Sequence, residues 1–183
     1  MTSLAMTTEN ALPLDQVLFA DPDLQAYAVL DGASIPELRE KLFEHEPEQI
    51  CLFRGELEPD MASVAPYLVR LEPDSDFAKW IMEEGWGKHW GIFALAPVPL
   101  RVLRNHFRSL LQVQIPDGRT LSFRFYDPRV LRVFLPTCNP EECQTVFGPL
   151  SAYLVEDGLP ATALRFSRPE GQFRSEKVPL KKQ

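Results

Sequence analysis

Short apolar runs alternate along this chain with segments in which apolar residues recur every three to four positions. The runs predict buried strands, and the wider spacing predicts helices with one buried face. Strands are predicted at residues 26–30, 49–53, 67–71, 89–95 and 152–156, and helices at 74–84 and 99–109, from 128 onward, and at 140–147. Another helix is expected after Ser34 and Glu37, which form a capping-box pattern ahead of Leu38 and Leu42.

Residues 111–115 and 119–125 alternate strictly between apolar and polar positions, with Asp117 and Gly118 between them. This pattern predicts a β-hairpin closed by an Asp-Gly turn. The first strand–helix–strand segment of the chain favours a mixed or parallel sheet with a helix across it. The predicted fold class is therefore mixed α/β: a central mixed β-sheet, a β-hairpin in the C-terminal half, and flanking helices.

With 183 residues the chain fits one domain. Residues 1–20 show no periodicity and are expected to form a loose arm, and residues 21–167 form the single domain. Residues 168–183 hold five basic and two acidic side chains, so this segment is predicted to be a basic, flexible tail of charge +3.

The formal net charge of −7 argues against a nucleic-acid-binding protein, which should be strongly basic. The longest apolar run is too short to span a bilayer, so no membrane association is expected. Residues 1–10 lack the features of a secretory signal, and three cysteines fit a reducing compartment. We therefore expect a cytoplasmic protein.

The run at residues 124–131 (RFYDPRVL) is the only charged cluster set inside an apolar segment. Asp127 is a favoured helix N-cap and Pro128 suits the first helical position, so the run is predicted to turn the hairpin into a helix. Arg124 and Arg129 flank this cap and can form a charge-assisted cluster with it. Two interpretations remain open: a structural clamp, or direct contact with a partner.

Other candidates for partner binding lie upstream. Arg101, Arg104 and Arg108 follow helical spacing opposite the leucines of their helix, and form either a solvated face or a surface that docks onto an acidic partner. Trp86 and Trp90 lie in a glycine-rich segment and are either core aromatics or partner anchors.

The sequence offers little for catalysis or metal binding. No recognisable motif pairs His106 with a serine or cysteine, and Cys138 and Cys143 form one loose pair where a zinc site needs four ligands. A nucleophile elbow and a phosphate-binding glycine loop are also missing. We therefore expect no enzyme activity, no metal and no cofactor.

Residues 110–119 (LLQVQIPDGR), 124–131 and 147–149 (FGP) follow one another in an order that resembles the adaptor, or effector chaperone, family of bacterial type VI secretion. The matching features run from about Ala26 to Glu156. The resemblance implies a cytoplasmic adaptor that binds the N-terminal delivery region of one type VI effector and promotes its loading onto the VgrG spike. Many members carry a further helical lobe, whereas here about 27 residues follow Glu156. The basic tail is therefore expected to assist cargo binding.

Two other classes remain as alternatives. An immunity protein would bind the catalytic domain of a toxin rather than its delivery region. A small hydrolase would use His106 or one of the cysteines.

Overall fold

A computed structural model describes residues 11–115, 117–159 and 161–181 of the chain. It has three layers, in which a β-sheet lies between two layers of helices. The helices are α1 (Leu14–Leu18), α2 (Leu38–His45), α3 (Pro59–Val64), α4 (Asp76–Gly85), α5 (Leu100–Leu110), α6 (Pro128–Phe134) and α7 (Pro140–Phe147). The strands are β1 (Gln25–Asp31), β2 (Gln49–Cys51), β3 (Pro66–Leu71), β4 (Gly91–Ala96), β5 (Gln112–Gln114), β6 (Thr120–Ser122), β7 (Ala152–Glu156), β8 (Thr162–Ser167) and β9 (Arg174–Pro179). The predicted α/β class with flanking helices and a hairpin in the C-terminal half is confirmed.

The main sheet has seven strands in the order β2-β3-β1-β4-β7-β8-β9. Its neighbouring strands all pair antiparallel, which corrects the expectation of a mixed or parallel sheet. The reason is the position of β3, which lies between β1 and β2 and pairs antiparallel with each. β1 and β2 therefore run in the same direction without touching. A parallel bridge joins Leu12 to Leu180 outside these strands.

Side chains alternate between the two faces of the sheet, so each strand supplies two separate cores. On one face Ala28, Val69 and Phe93 pack under α1, α2 and α4. On the other face Tyr27, Val29 and Leu68 pack under α5, α6 and α7. Burial of both faces explains why β1 reads as a continuous apolar run rather than an alternating one.

The long amphipathic helices match their predicted positions. Ser75 caps α4 by accepting a hydrogen bond from the Ala78 amide at 3.2 Å. The buried residues of α5 are the four that its spacing predicted, Leu100, Leu103, Phe107 and Leu110. The capping box at Ser34 and Glu37 is wrong. Ser34 instead ends a short 3-10 turn, Gly32–Ser34, and its hydroxyl donates to Asp31.

The predicted hairpin exists, but it forms a two-stranded sheet of its own, β5 and β6. Gly118 adopts φ +84° in its turn, a conformation that glycine tolerates. Val113 and Leu121 are paired across the strands and are 38% and 44% exposed. Strict alternation therefore predicted the hairpin but did not place its apolar face in the core.

Both predicted flexible ends need correction where they are described. Residues 1–10, 182 and 183 lie outside the described residues, but α1 forms within the predicted arm and buries Leu14 and Leu18. Within the predicted tail, β9 pairs with β8 over the whole of its length, and Leu180 is only 6% exposed. Few apolar residues mark β9, because it is an edge strand with an exposed side.

Among the described residues no helix is long and apolar enough to cross a membrane.

We predict that Leu180→Ala lowers the free energy of unfolding by about 2 kcal/mol, because the side chain is buried in the core beneath α1. Leu159→Ala is the matched control, since Leu159 is 61% exposed and its loss should change stability by less than about 0.5 kcal/mol. Urea unfolding of both variants measures the difference. Equal stabilities would mean that the end of the chain is not part of the core.

Candidate functional site

Asp31 ends the central strand β1 and is only 2% exposed. Its carboxylate accepts hydrogen bonds from the Ala33 amide at 3.1 Å and the Ser34 hydroxyl at 2.8 Å. Gly32 allows this turn to press against the end of α3, because a Cβ there would lie 2.5 Å from the Ala65 carbonyl oxygen. A buried carboxylate held this way needs a cationic partner to offset the loss of hydration.

That partner is Arg124, which lies 93 residues further along the chain. Its guanidinium donates to Asp31 Oδ2, the carboxylate oxygen that also accepts from Ser34, and lies over the Tyr126 ring, 5.8 Å from the ring centroid. Burial acts to lower the pKa of Arg124, but the charge and hydrogen bond of Asp31, together with Tyr126 and Asp127, outweigh it and raise that pKa. The arginine side chain remains 50% exposed, so it is both anchored and available at the surface.

Asp127 caps α6 as predicted, accepting a hydrogen bond from the Arg129 amide at 2.9 Å. The Arg129 guanidinium also donates to both carboxylate oxygens, at 3.0 and 2.7 Å. Burial acts to raise the pKa of Asp127, but the hydrogen bonds and charge of Arg129 outweigh this and lower it. The clamp interpretation of this pair is therefore supported by its geometry, and Arg129 is still 55% exposed.

A third buried carboxylate, Glu156, ends β7. It accepts hydrogen bonds from the Gly87 and His89 amides at 2.9 and 3.2 Å, and its other oxygen lies 2.7 Å from His89 Nδ1. Arg132 of α6 donates to the Glu156 backbone carbonyl at 3.3 Å.

Within the described part of the chain the buried charged residues are these three, Asp31, Asp127 and Glu156. Each is in contact with an arginine from residues 124–132. We call the six residues the charged crossing: Asp31, Arg124, Asp127, Arg129, Arg132 and Glu156. It holds the segment that leaves the hairpin across the ends of the central strands β1 and β7.

Beside the charged crossing lies an open groove of about 940 Å³. The hairpin contributes Gln112, Gln114, Thr120 and Ser122 to it, and the segment that includes α3 contributes Phe53, Arg54, Leu57, Met61 and Val64. Arg108, Arg124 and Tyr126 also line the groove, next to Asp31.

The predicted arginine stripe on α5 is divided by the fold. Arg108 lines the groove and donates to the backbone carbonyls of residues 51–53 at 3.0 to 3.3 Å. Arg104 is half-buried and donates to the neighbouring Asn105, and Arg101 is exposed outside the groove lining. Only Arg108 is therefore brought together with Arg124.

The two predicted tryptophans lie away from the groove. Trp90 is 8% exposed and packs against Trp80, with ring centroids 5.1 Å apart, so little of it is available to a partner. Trp86 is half-buried and stacks on Phe93 at 6.1 Å. Both tryptophans contribute to the core on the α4 side of the sheet.

Burial shifts the pKa of two groups that a hydrolase would use. Burial lowers the pKa of His106, whose Nε2 lies 3.0 Å from the Val146 carbonyl. Burial also raises the pKa of the Cys138 thiol to about 11, so the thiol is protonated near neutral pH. Among the described residues, no group of three or more His, Cys, Asp and Glu side chains could hold a metal ion.

Sequence reasoning missed Asp31, Arg54, Met61 and Val64. Asp31 follows an apolar run and precedes a glycine. This pattern predicts an exposed turn, so it gave no indication that the Asp31 carboxylate is buried. The α3 residues carry no amphipathic signal because none of the six is buried. The role of Asp31 depends on Arg124, which lies 93 residues away, so the sequence around Asp31 does not predict it.

The fold and the groove define a three-layer α/β protein with an open surface groove that is lined by arginines and by apolar side chains. The chain belongs to the family described as Domain of unknown function (DUF4123), whose model matches residues 26–145. This match covers β1 to α7 and therefore includes the groove and nearly all of the charged crossing. Comparison with curated proteins finds no match, and comparison with solved structures finds none either.

We predict that Asp31 and Arg124 are energetically coupled by about 1–2 kcal/mol in a double-mutant cycle with Asp31→Asn and Arg124→Gln. The expected coupling is below that of a fully buried pair because Arg124 is half exposed. Asp117 and Arg119, an exposed pair at the hairpin tip, are the matched control and should show no measurable coupling. Denaturant unfolding supplies all the free energies, and equal coupling in the two pairs would contradict a structural role for the Asp31 pair.

Proposed function

We propose that this protein is a cytoplasmic adaptor that binds one type VI secretion effector through its delivery region and promotes its loading onto the VgrG spike. On this proposal it acts by binding alone and has no catalytic turnover, metal or cofactor. Its partners are the effector and VgrG, and it binds neither nucleic acid nor membrane.

The observation that carries the proposal is the groove beside the charged crossing. An arginine that is anchored to a buried carboxylate yet half exposed has already lost much of its conformational freedom. Binding of a partner to this arginine therefore costs less conformational entropy, because the side chain is already largely fixed. The type VI role itself is supported by DUF4123 membership together with the resemblance of residues 110–149 to type VI adaptors.

The chemistry of the described side chains favours a binding protein over the hydrolase alternative. A hydrolase would need a nucleophile with a base beside it. The Cys138 thiol has a pKa raised by burial, and His106 contacts a backbone carbonyl rather than a nucleophile. The immunity alternative differs in the part of the toxin that is bound, so the choice of fragment separates it from an adaptor.

We predict that the tagged protein co-purifies with the delivery region of a candidate effector and not with the effector's catalytic domain. VgrG should join the complex only when the delivery region is present. The experiment expresses each fragment separately with the tagged chain and measures stoichiometry by light scattering. Capture of the catalytic domain alone would indicate an immunity protein, and capture of neither fragment from any neighbouring effector would contradict the adaptor function.

A further inference from the structure

We propose that the groove binds a protein segment that carries both carboxylate and apolar side chains. This inference rests on the proposed adaptor function and specifies the chemistry of the cargo segment. The groove is formed by the hairpin, α3 with the loop before it, and the arginines at positions 54, 108 and 124.

Charge is the first argument. Three arginines line the groove against a single acidic side chain, Asp31, and the Asp31 carboxylate is already engaged by Arg124, Ala33 and Ser34. The chain as a whole carries −7, whereas the lining of the groove carries three arginines and one aspartate, a net charge of +2. A negatively charged segment would therefore be attracted to the groove although the net charge of the chain is negative.

Of the three arginines in the groove, Arg54 is the one whose side chain is not held by other described residues. It is exposed, and it makes no hydrogen bond or ion pair with the described residues. Arg108 and Arg124, by contrast, are held by backbone carbonyls and by Asp31. A carboxylate from the partner would thus meet two fixed guanidinium groups and one mobile one.

The apolar contribution comes from α3 and the loop before it. None of the six residues of α3 is buried, and Met61 and Val64 are 49% and 44% exposed while lining the groove. The helix is held from one side, where the Tyr67 hydroxyl donates to the Ala62 carbonyl at 2.8 Å. Exposed methionine and valine beside arginines suit an amphipathic segment, whose apolar side chains would cover them.

The hairpin contributes polar side chains to the groove. Gln112 pairs with Ser122 and Gln114 with Thr120, and all four line the groove, whereas Val113 and Leu121 do not. These side chains can hydrogen-bond the backbone of a bound segment. A two-stranded sheet is marginally stable by itself, so contact with an occupant would stabilise the hairpin further.

A protein segment fits these features better than a polyphosphate or a small ligand. The groove is open and its lining mixes exposed methionine and valine with glutamine, threonine and serine, which offers surface to a chain rather than an enclosed pocket. A polyphosphate also has no apolar side chains with which to cover Phe53, Leu57, Met61 and Val64, all of which line the groove.

Two blocked, fluorescent peptides test this inference: one alternates leucine with glutamate, and the other alternates leucine with lysine. Fluorescence anisotropy should show the glutamate peptide binding at least about tenfold more tightly, with affinity falling as salt rises. Arg54→Glu and Met61→Ser should each weaken binding of the glutamate peptide by about tenfold. Arg174→Glu and Val133→Ser are matched controls, because both residues are exposed outside the groove lining, and they should bind as the unchanged protein does.

Equal affinity for the two peptides, binding of neither, or equal loss in the control variants would overturn the inference. The same four variants are then tested with the effector fragment captured by the unchanged protein. If the groove variants keep the fragment, the groove inference is wrong while the adaptor function stands. If the unchanged protein captures no effector fragment, the adaptor function fails, and the peptide result still decides the chemistry of the groove.

Discussion

The ion pair between Asp31 and Arg124 is the constraint on which the placement of the hairpin and the groove depends. A carboxylate that is 2% exposed must be paired, because an isolated buried charge costs far more than a folded domain can offset. Here the partner comes from the end of the hairpin, 93 residues away. The next residue, Phe125, is fully buried and stacks on Phe107 at 5.3 Å. One ion pair and one ring therefore fix the base of a hairpin that is outside the main sheet.

The geometry at residues 124–131 supports the clamp interpretation and is compatible with the partner-contact interpretation, which stays a prediction. A structural clamp and a contact surface are often treated as alternatives, but Arg124 is anchored on one side and exposed on the other. Asp127 acts within its own helix turn, whereas Arg124 joins the sheet to the groove. On the proposed function, the charged crossing would connect stability to partner binding, since loss of Asp31 would release the Arg124 side chain.

Periodicity predicted the elements that bury a regular face, such as α5 with its four leucine and phenylalanine positions. It missed α1, α3, β8 and β9, because these elements are short or bury few side chains and carry little pattern. The sheet is antiparallel here because β3 lies between β1 and β2 and pairs with both. The local sequence does not specify this strand order. Of the candidate site, Arg124, Asp127 and Arg108 were identified from the sequence and lie at or beside the groove. Asp31 was not, since its importance comes from a contact between distant residues.

Hydrogen–deuterium exchange of the protein with and without its captured effector fragment tests most directly whether the groove is the interface. Bound cargo should slow exchange in residues 53–64 and 111–123, since both segments line the groove and the hairpin has few backbone hydrogen bonds of its own. Exchange in β9, at the far edge of the sheet, should stay unchanged. Protection confined to β9 or to the exposed face of α2, with no change in the hairpin or α3, would contradict the account.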